Sequence, residues 1–198
     1  MKLNNETLIC GIDEAGRGPL AGQVFAAAVI LPLGFDVSLL ADSKKLNEKK
    51  RQIASKYIFE NALWGIGAAS VKEIDDLNIL QASLLAMKRS YESLLRKANL
   101  STESLNLLSC IVDGNKVPDI KACKAIVKAD TTIPEVMAAS IIAKVSRDKV
   151  MNLHALKFPQ YGYEKHKGYC TKMHLSKIYE FGPSPIQRKS FAYPKPTK

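Results

Sequence analysis

Residues 105–112 (LNLLSCIV) restrict more than any other stretch what this chain can become. They are eight positions almost without a polar break, closed by Asp113-Gly114-Asn115. A strand that is apolar at nearly every position has no side to show to water, so it must be covered on both faces. The rest of the pattern supplies the cover. Residues 8–10 (LIC) and 23–31 (QVFAAAVIL) read as strands, and their short separation predicts antiparallel neighbours. Asn47 caps a helix running to about residue 59, and 62–69 (ALWGIGAA) is a third strand. Ser70 and Glu73 form a capping box before a short helix, and a longer helix covers 79–97. Residues 122–128 (ACKAIVK) alternate as a fifth strand. Pro134 stands near the start of a long helix over 135–156, and one more short helix precedes Gly182.

Closely connected strands followed by helical crossovers predict an α/β fold: a five-stranded mixed sheet flanked by helices. The 198 residues suit a single domain spanning 1–198, in which the part beyond about residue 160 is a small C-terminal helical extension. Residues 187–198 carry basic residues and prolines and are expected to lie on the surface or fray.

Charge narrows the class of partner. Twenty-nine Lys and Arg against nineteen Asp and Glu leave +10, with a pI near 9.4, so a polyanion is the natural partner. The four cysteines, at 10, 110, 123 and 170, form no C-x-x-C pair and read as small buried hydrophobes rather than a disulfide frame or a zinc site. The first residues lack the apolar core of a signal peptide and no run is long enough to span a membrane, so a cytoplasmic protein without a membrane partner is expected.

The chemistry gathers at strand ends. Residues 11–22 (GIDEAGRGPLAG) put two carboxylates, an arginine and four glycines directly after the first strand. Turn chemistry alone would account for that segment. Two more acids extend the pattern, because Asp113 ends the fourth strand and Asp130 follows the fifth. If the first, fourth and fifth strands are neighbours, Asp13, Glu14, Asp113 and Asp130 converge where open α/β sheets carry their sites. For Asp13 and Glu14 to share a site, the strand must end or bulge there, and Gly16 allows it. Carboxylates about 4 Å apart repel by roughly 4 kcal/mol, so protons or cations must neutralise them. Oxygen donors without His or Cys favour Mg²⁺ or Mn²⁺. With a basic surface that attracts phosphates, a two-metal phosphodiester hydrolase is the leading chemical reading.

In register and in order, GIDEAGRGPLAG, DSKKL, DDLNIL, VDGN, VKAD, AASIIAKVSRD and FPQYGYEKHKGY resemble bacterial ribonuclease HII, a type 2 ribonuclease H, over about residues 9–191. The resemblance implies a ribonuclease H-like fold, hydrolysis of the RNA strand of RNA–DNA hybrids, and incision 5′ of ribonucleotides embedded in duplex DNA. It implies 3′-hydroxyl and 5′-phosphate ends, and a role in removing misincorporated ribonucleotides and RNA primers. By the same resemblance Asp13, Glu14, Asp113 and Asp130 bind the metals, and Gly16, Arg17 and Gly18 sense the 2′-hydroxyl. Tyr169 stacks on the sugar of the next deoxynucleotide, and Lys44 and Lys45 suit phosphate contacts. One departure is Ala129, where the family often has Gly. A monomer is expected, and a sliding-clamp contact is open.

Rival readings explain less. Gly16-x-Gly18-x-x-Ala21 meets a loose dinucleotide fingerprint, but Asp13 and Glu14 would repel a pyrophosphate and a strand follows where a helix is required. A basic binding protein without catalysis leaves the strand-end acids unexplained. A resolvase-like nuclease explains the acids but not Gly16-Arg17-Gly18 with Tyr169. Glu73, Asp75 and Asp76 read as complements to a helix dipole, and His154, His166 and His174 lack metal-ligand spacing.

Overall fold

The computed structural model describes residues 8–40 and 47–194. The sheet contains β1 (Leu8–Ala15), β2 (Val24–Ile30), β3 (Leu63–Ala69), β4 (Leu108–Asp113) and β5 (Cys123–Ile126), in the order β3-β2-β1-β4-β5. The first three strands pair antiparallel, while β4 joins β1 in parallel and β5 joins β4 in parallel. The predicted mixed sheet and the adjacency of the first, fourth and fifth strands are both present.

Helices begin where capping side chains satisfy their first N–H groups. Asn47 accepts the Lys50 N–H at the start of α1 (Glu48–Asn61), and Ser70 with Glu73 closes a capping box on α2 (Val71–Leu77). Asn78 accepts from Leu80 and Gln81 to open α3 (Ile79–Ala98). The stretch expected to be one long buried strand divides instead. Ser101 caps a short α4 (Thr102–Asn106), so β4 starts only at Leu108, and Leu105 and Leu107 are exposed. Along β4 burial alternates, so one face is covered more fully than the other.

Alternation on β2 divides the core in two. Ala26, Ala28 and Ile30 join Cys10 and Ile12 of β1 against Ala82, Ala86, Met87 and Leu94 of α3. Ala27 and Val29 face Ala54 and Ile58 of α1 and Ala138, Ile141 and Ile142 of α5 (Pro134–Lys157). Two close approaches require glycine. A Cβ on Gly65 would lie 2.2 Å from the Leu94 nitrogen of α3, and one on Gly11 would lie 2.1 Å from the Glu135 carbonyl carbon, where α5 crosses β1.

Beyond α5 a 3₁₀ turn (Pro159–Tyr161) leads into α6 (Tyr163–His166) and α7 (Lys172–Phe181). This end carries a small cluster of its own, formed by Ala21, Met151, Ala155, Tyr161 and Tyr163. The expectation of a fraying tail fails for its first residues. Arg188 is fully buried, and Asp75 accepts hydrogen bonds from the Lys189 and Ser190 N–H groups (3.1 and 2.9 Å) and the Ser190 hydroxyl (2.6 Å). Asp75 therefore anchors a distant segment, a role beyond the dipole complement expected of it. Among the described residues no helix is long and apolar enough to cross a membrane.

Candidate active site

The last residues of β1 hold Asp13 and Glu14 between two strands. Asp13 lies opposite Ala27 on β2, and the parallel register Ile12↔Val112, carried one residue on, sets Asp13 beside Asp113 on β4. Neighbouring strands lie about 4.8 Å apart, which places the two aspartates side by side. Of the two ways open to the strand, it ends rather than bulges: the ladder stays regular to Ala15↔Phe25, β1 stops one residue after Glu14, and the turn begins at Gly16 with φ +102°.

Each carboxylate is held locally. Asp13 accepts the Glu14 N–H at 2.7 Å and a hydrogen bond from Ser140 of α5. The Glu14 Oε1 meets Arg17 Nη1 at 3.2 Å. Burial pushes the Asp13 carboxyl well above the ordinary range, and the charges of Glu14 and Asp113 push it the same way, while the Ser140 and Glu14 donors oppose them. Glu14 is raised chiefly by burial, with Arg17 opposing and Asp113 adding to the rise.

Two of these atoms, Glu14 Oε2 and Asp113 Oδ1, are buried with no hydrogen-bond partner. Buried anionic oxygens facing like charges are the donor chemistry of a hard divalent cation. Among the described residues no three acidic, histidine or cysteine side chains stand close enough together to form a finished cage. Mutual repulsion accounts for the spread, since Glu14 leans to Arg17 and Asp13 to its own backbone and Ser140.

Asp130 is buried but not at a strand end. β5 stops at Ile126, Lys128 turns with φ +61°, and Asp130 sits on a 3₁₀ turn (Ala129–Thr131) that touches β4 and α5. Lys44 and Lys45 lie outside the described residues.

The glycine turn is clamped from behind by two buried arginines that sequence reasoning missed. Arg188 donates to the carbonyls of Gly16 (2.6 Å), Arg17 (2.9 Å) and Gly22 (2.9 Å). Arg147 of α5 donates to those of Ala21 (3.1 Å), Gln23 (3.1 Å) and Lys167 (3.0 Å). Among the described residues neither guanidinium has a carboxylate within ion-pair distance. Burial pulls the Arg188 guanidinium down to about 9, so it stays charged at neutral pH. A Cβ on Gly16 would lie 2.1 Å from Arg147 Nε, which is why this position must be glycine on steric as well as conformational grounds.

Tyr169 stands across the turn. A Cβ placed on Gly18 would be 3.9 Å from its Cε1, and Lys144 Nζ lies 5.7 Å from its ring centroid. Between them is a cavity of about 320 Å³ lined by Glu14, Gly16, Arg51, Ser140, Lys144 and Tyr169. Ser140, Lys144, Arg147 and Met151 share one face of α5 at helical spacing. No local signal marks Arg188.

The family model for ribonuclease HII matches residues 10–193. The chain is 56% identical over 193 residues to ribonuclease HII of Treponema denticola, covering 93% of this chain and 98% of that protein. It is 48% identical over 187 residues to ribonuclease HII of Pelagibacter ubique, covering 93% and 96%. It also resembles the structure of the PCNA:RNase HII complex from Archaeoglobus fulgidus, with a TM-score of 0.75 at 25% identity over 96% of this chain and 98% of that one.

Proposed function

The chain belongs to the ribonuclease HII family, and on that premise we propose that it is an endonuclease that cuts the RNA strand of RNA–DNA hybrids. In this reading it also incises 5′ of single ribonucleotides in duplex DNA, leaving 3′-hydroxyl and 5′-phosphate ends. Its place in the cell would be the removal of misincorporated ribonucleotides and RNA primers. The observation that carries the reading is the pairing of Asp13 with Asp113 beside Glu14, whose side of the site lines the cavity it shares with Gly16 and Tyr169.

Asp13, Glu14, Asp113 and Asp130 would hold divalent cations, Mg²⁺ or Mn²⁺ by their all-oxygen donors. The chemistry supplied by such ions is activation of a water and stabilisation of the leaving 3′ oxygen. The chain's own residues select the substrate. Arg188 engages the Gly16 and Arg17 carbonyls, which leaves the N–H groups of the Gly16-Arg17-Gly18 turn to test for a 2′-hydroxyl, the group that distinguishes RNA from DNA. Tyr169 would lie against the sugar of the following deoxynucleotide. Arg51 and Lys144 at the cavity, with Lys44 and Lys45, would meet backbone phosphates. A sliding clamp is a partner to test, since the Archaeoglobus relative is described in complex with PCNA.

The deciding experiment is incision of an end-labelled duplex containing one ribonucleotide, beside its all-DNA counterpart, with Mg²⁺, with Mn²⁺ and with chelator. Cutting of the ribonucleotide duplex alone, only with metal, and lost in Asp13→Asn, is expected. Equal cutting of both duplexes would refute the selectivity, and metal-dependent turnover by Asp13→Asn would refute the carboxylate assignment.

A further inference from the structure

Two histidines behind Tyr169 have no part in the chemistry above, yet they are buried and arranged. His166, the last residue of α6, and His174, in the first turn of α7, stack with ring centroids 4.5 Å apart and planes 17° from parallel. Tyr163 meets both rings edge-on, and its hydroxyl lies 2.6 Å from the Ser184 hydroxyl.

The hydrogen bonds fix where the protons sit. His166 Nδ1 accepts the Gly168 N–H at 3.2 Å, so its proton is on Nε2, which donates to the Tyr161 carbonyl at 2.9 Å. His174 Nδ1 lies 3.0 Å from the Tyr169 carbonyl and must donate to it. Its Nε2 is buried without a partner. Burial holds both rings neutral, His174 down to about 4, so the arrangement persists at working pH.

Between the rings the backbone has few alternatives. Lys167 and Gly168 both have positive φ, 50° and 84°, so this two-residue corner cannot relax into regular structure. One imidazole grips the N–H before Tyr169 and the other grips its carbonyl. The Tyr169 side chain itself is exposed, and the cations of Lys144 and Arg147 stand near its ring.

We infer that His166 and His174 are positioning residues: a stacked imidazole pair that grips the backbone on either side of Tyr169 and aims its ring across the Gly16-Arg17-Gly18 turn. This rests on the reading of Tyr169 as the residue that meets the sugar at an RNA–DNA junction. A pair that only filled space would support every substrate alike. A pair that aims Tyr169 matters most where a single junction must be found.

The test compares kcat/KM on a one-ribonucleotide duplex and on a long RNA–DNA hybrid for His174→Phe, His174→Asn, Tyr169→Ala and the double variant His174→Phe with Tyr169→Ala. Phe keeps the ring and loses the donor, while Asn places a donor near the Nδ1 position. The expected result is a loss of about tenfold for His174→Phe on the one-ribonucleotide duplex, the order of one orienting hydrogen bond. The loss should be smaller on the hybrid, largely restored in His174→Asn, and absent as an increment in the double variant. Equal losses on both substrates, or losses that multiply in the double variant, overturn the inference.

If Tyr169→Ala discriminates between substrates but the histidine variants do not, the inference alone fails. If Tyr169→Ala does not discriminate, the junction reading fails with it. Melting curves establish that each variant is folded at assay temperature. Should His174→Phe not fold, His166→Phe, which removes the acceptor of the Gly168 N–H, tests the same grip from the other ring.

Discussion

Asp13→Asn should make the metal-free protein more stable while abolishing its activity. Asp13 is buried beside Asp113 on the neighbouring strand and next to Glu14, and all three interact as like charges. Two carboxylates about 4.8 Å apart at an effective dielectric near 20 repel by about 3 kcal/mol. Asn removes one charge and still accepts the Glu14 N–H, so a net gain of about 2 kcal/mol is expected after imperfect amide placement. For a chain of this length that is roughly 4–8 °C in melting temperature.

The sign follows from linkage. Asp13 and Glu14 are both raised in the folded chain, so between the unfolded carboxylate value of about 4 and those raised values the folded state binds more protons. Stability in chelator therefore falls as pH rises through that window and stays reduced above it. Divalent metal at about 100 times its dissociation constant should return about 2.7 kcal/mol to the native protein and little to the variant. Differential scanning fluorimetry at pH 8, with chelator and with Mg²⁺, measures both effects. A variant that melts at or below the native protein in chelator, or that gains as much from Mg²⁺, would refute the reasoning.

Other changes test the supports of the site. Arg188→Met leaves the Gly16, Arg17 and Gly22 carbonyls without their donor, and at about 1–3 kcal/mol each it should lower the melting temperature by about 10 °C or more; an unchanged melt would show that water replaces the guanidinium. Gly16→Ala combines a φ of +102° with a Cβ 2.1 Å from Arg147 Nε, so a cost of about 2–5 kcal/mol and loss of ribonucleotide incision are expected. Wild-type turnover in that variant would contradict the fixed turn. Glu73, held down to about 2 chiefly by Arg89, contributes stability that is complete above about pH 4.5 and lost as pH falls toward 2. Glu73→Gln should therefore cost about 1 kcal/mol at neutral pH, allowing for the partial exposure of the pair, and should flatten the acid limb of a stability profile.

Local chemistry made much of this molecule legible in advance. Strand and helix positions follow from apolar period, from caps such as Asn47 and Ser70, and from Pro134 at a helix start, because those signals act within a few residues. The acids were visible for the same reason, as charged residues standing where apolar runs stop. The misreadings also have local causes. An apolar count could not see that Ser101 would cap a turn and take Leu105 out of the strand. Nor could it see that β5 would close after four residues and leave Asp130 to a turn.

Residue order along the chain thus sets the kind of layer it forms and the residue types of its candidate site. Tertiary structure alone decided how those residues are held. Asp13 meets Asp113 because β1 pairs with β4 across nearly a hundred intervening positions, and no local pattern encodes a register. Arg188 reaches the Gly16 carbonyl from 172 residues away. Its place was invisible in advance because an arginine with no nearby acid looks like surface until a fold surrounds it with backbone carbonyls.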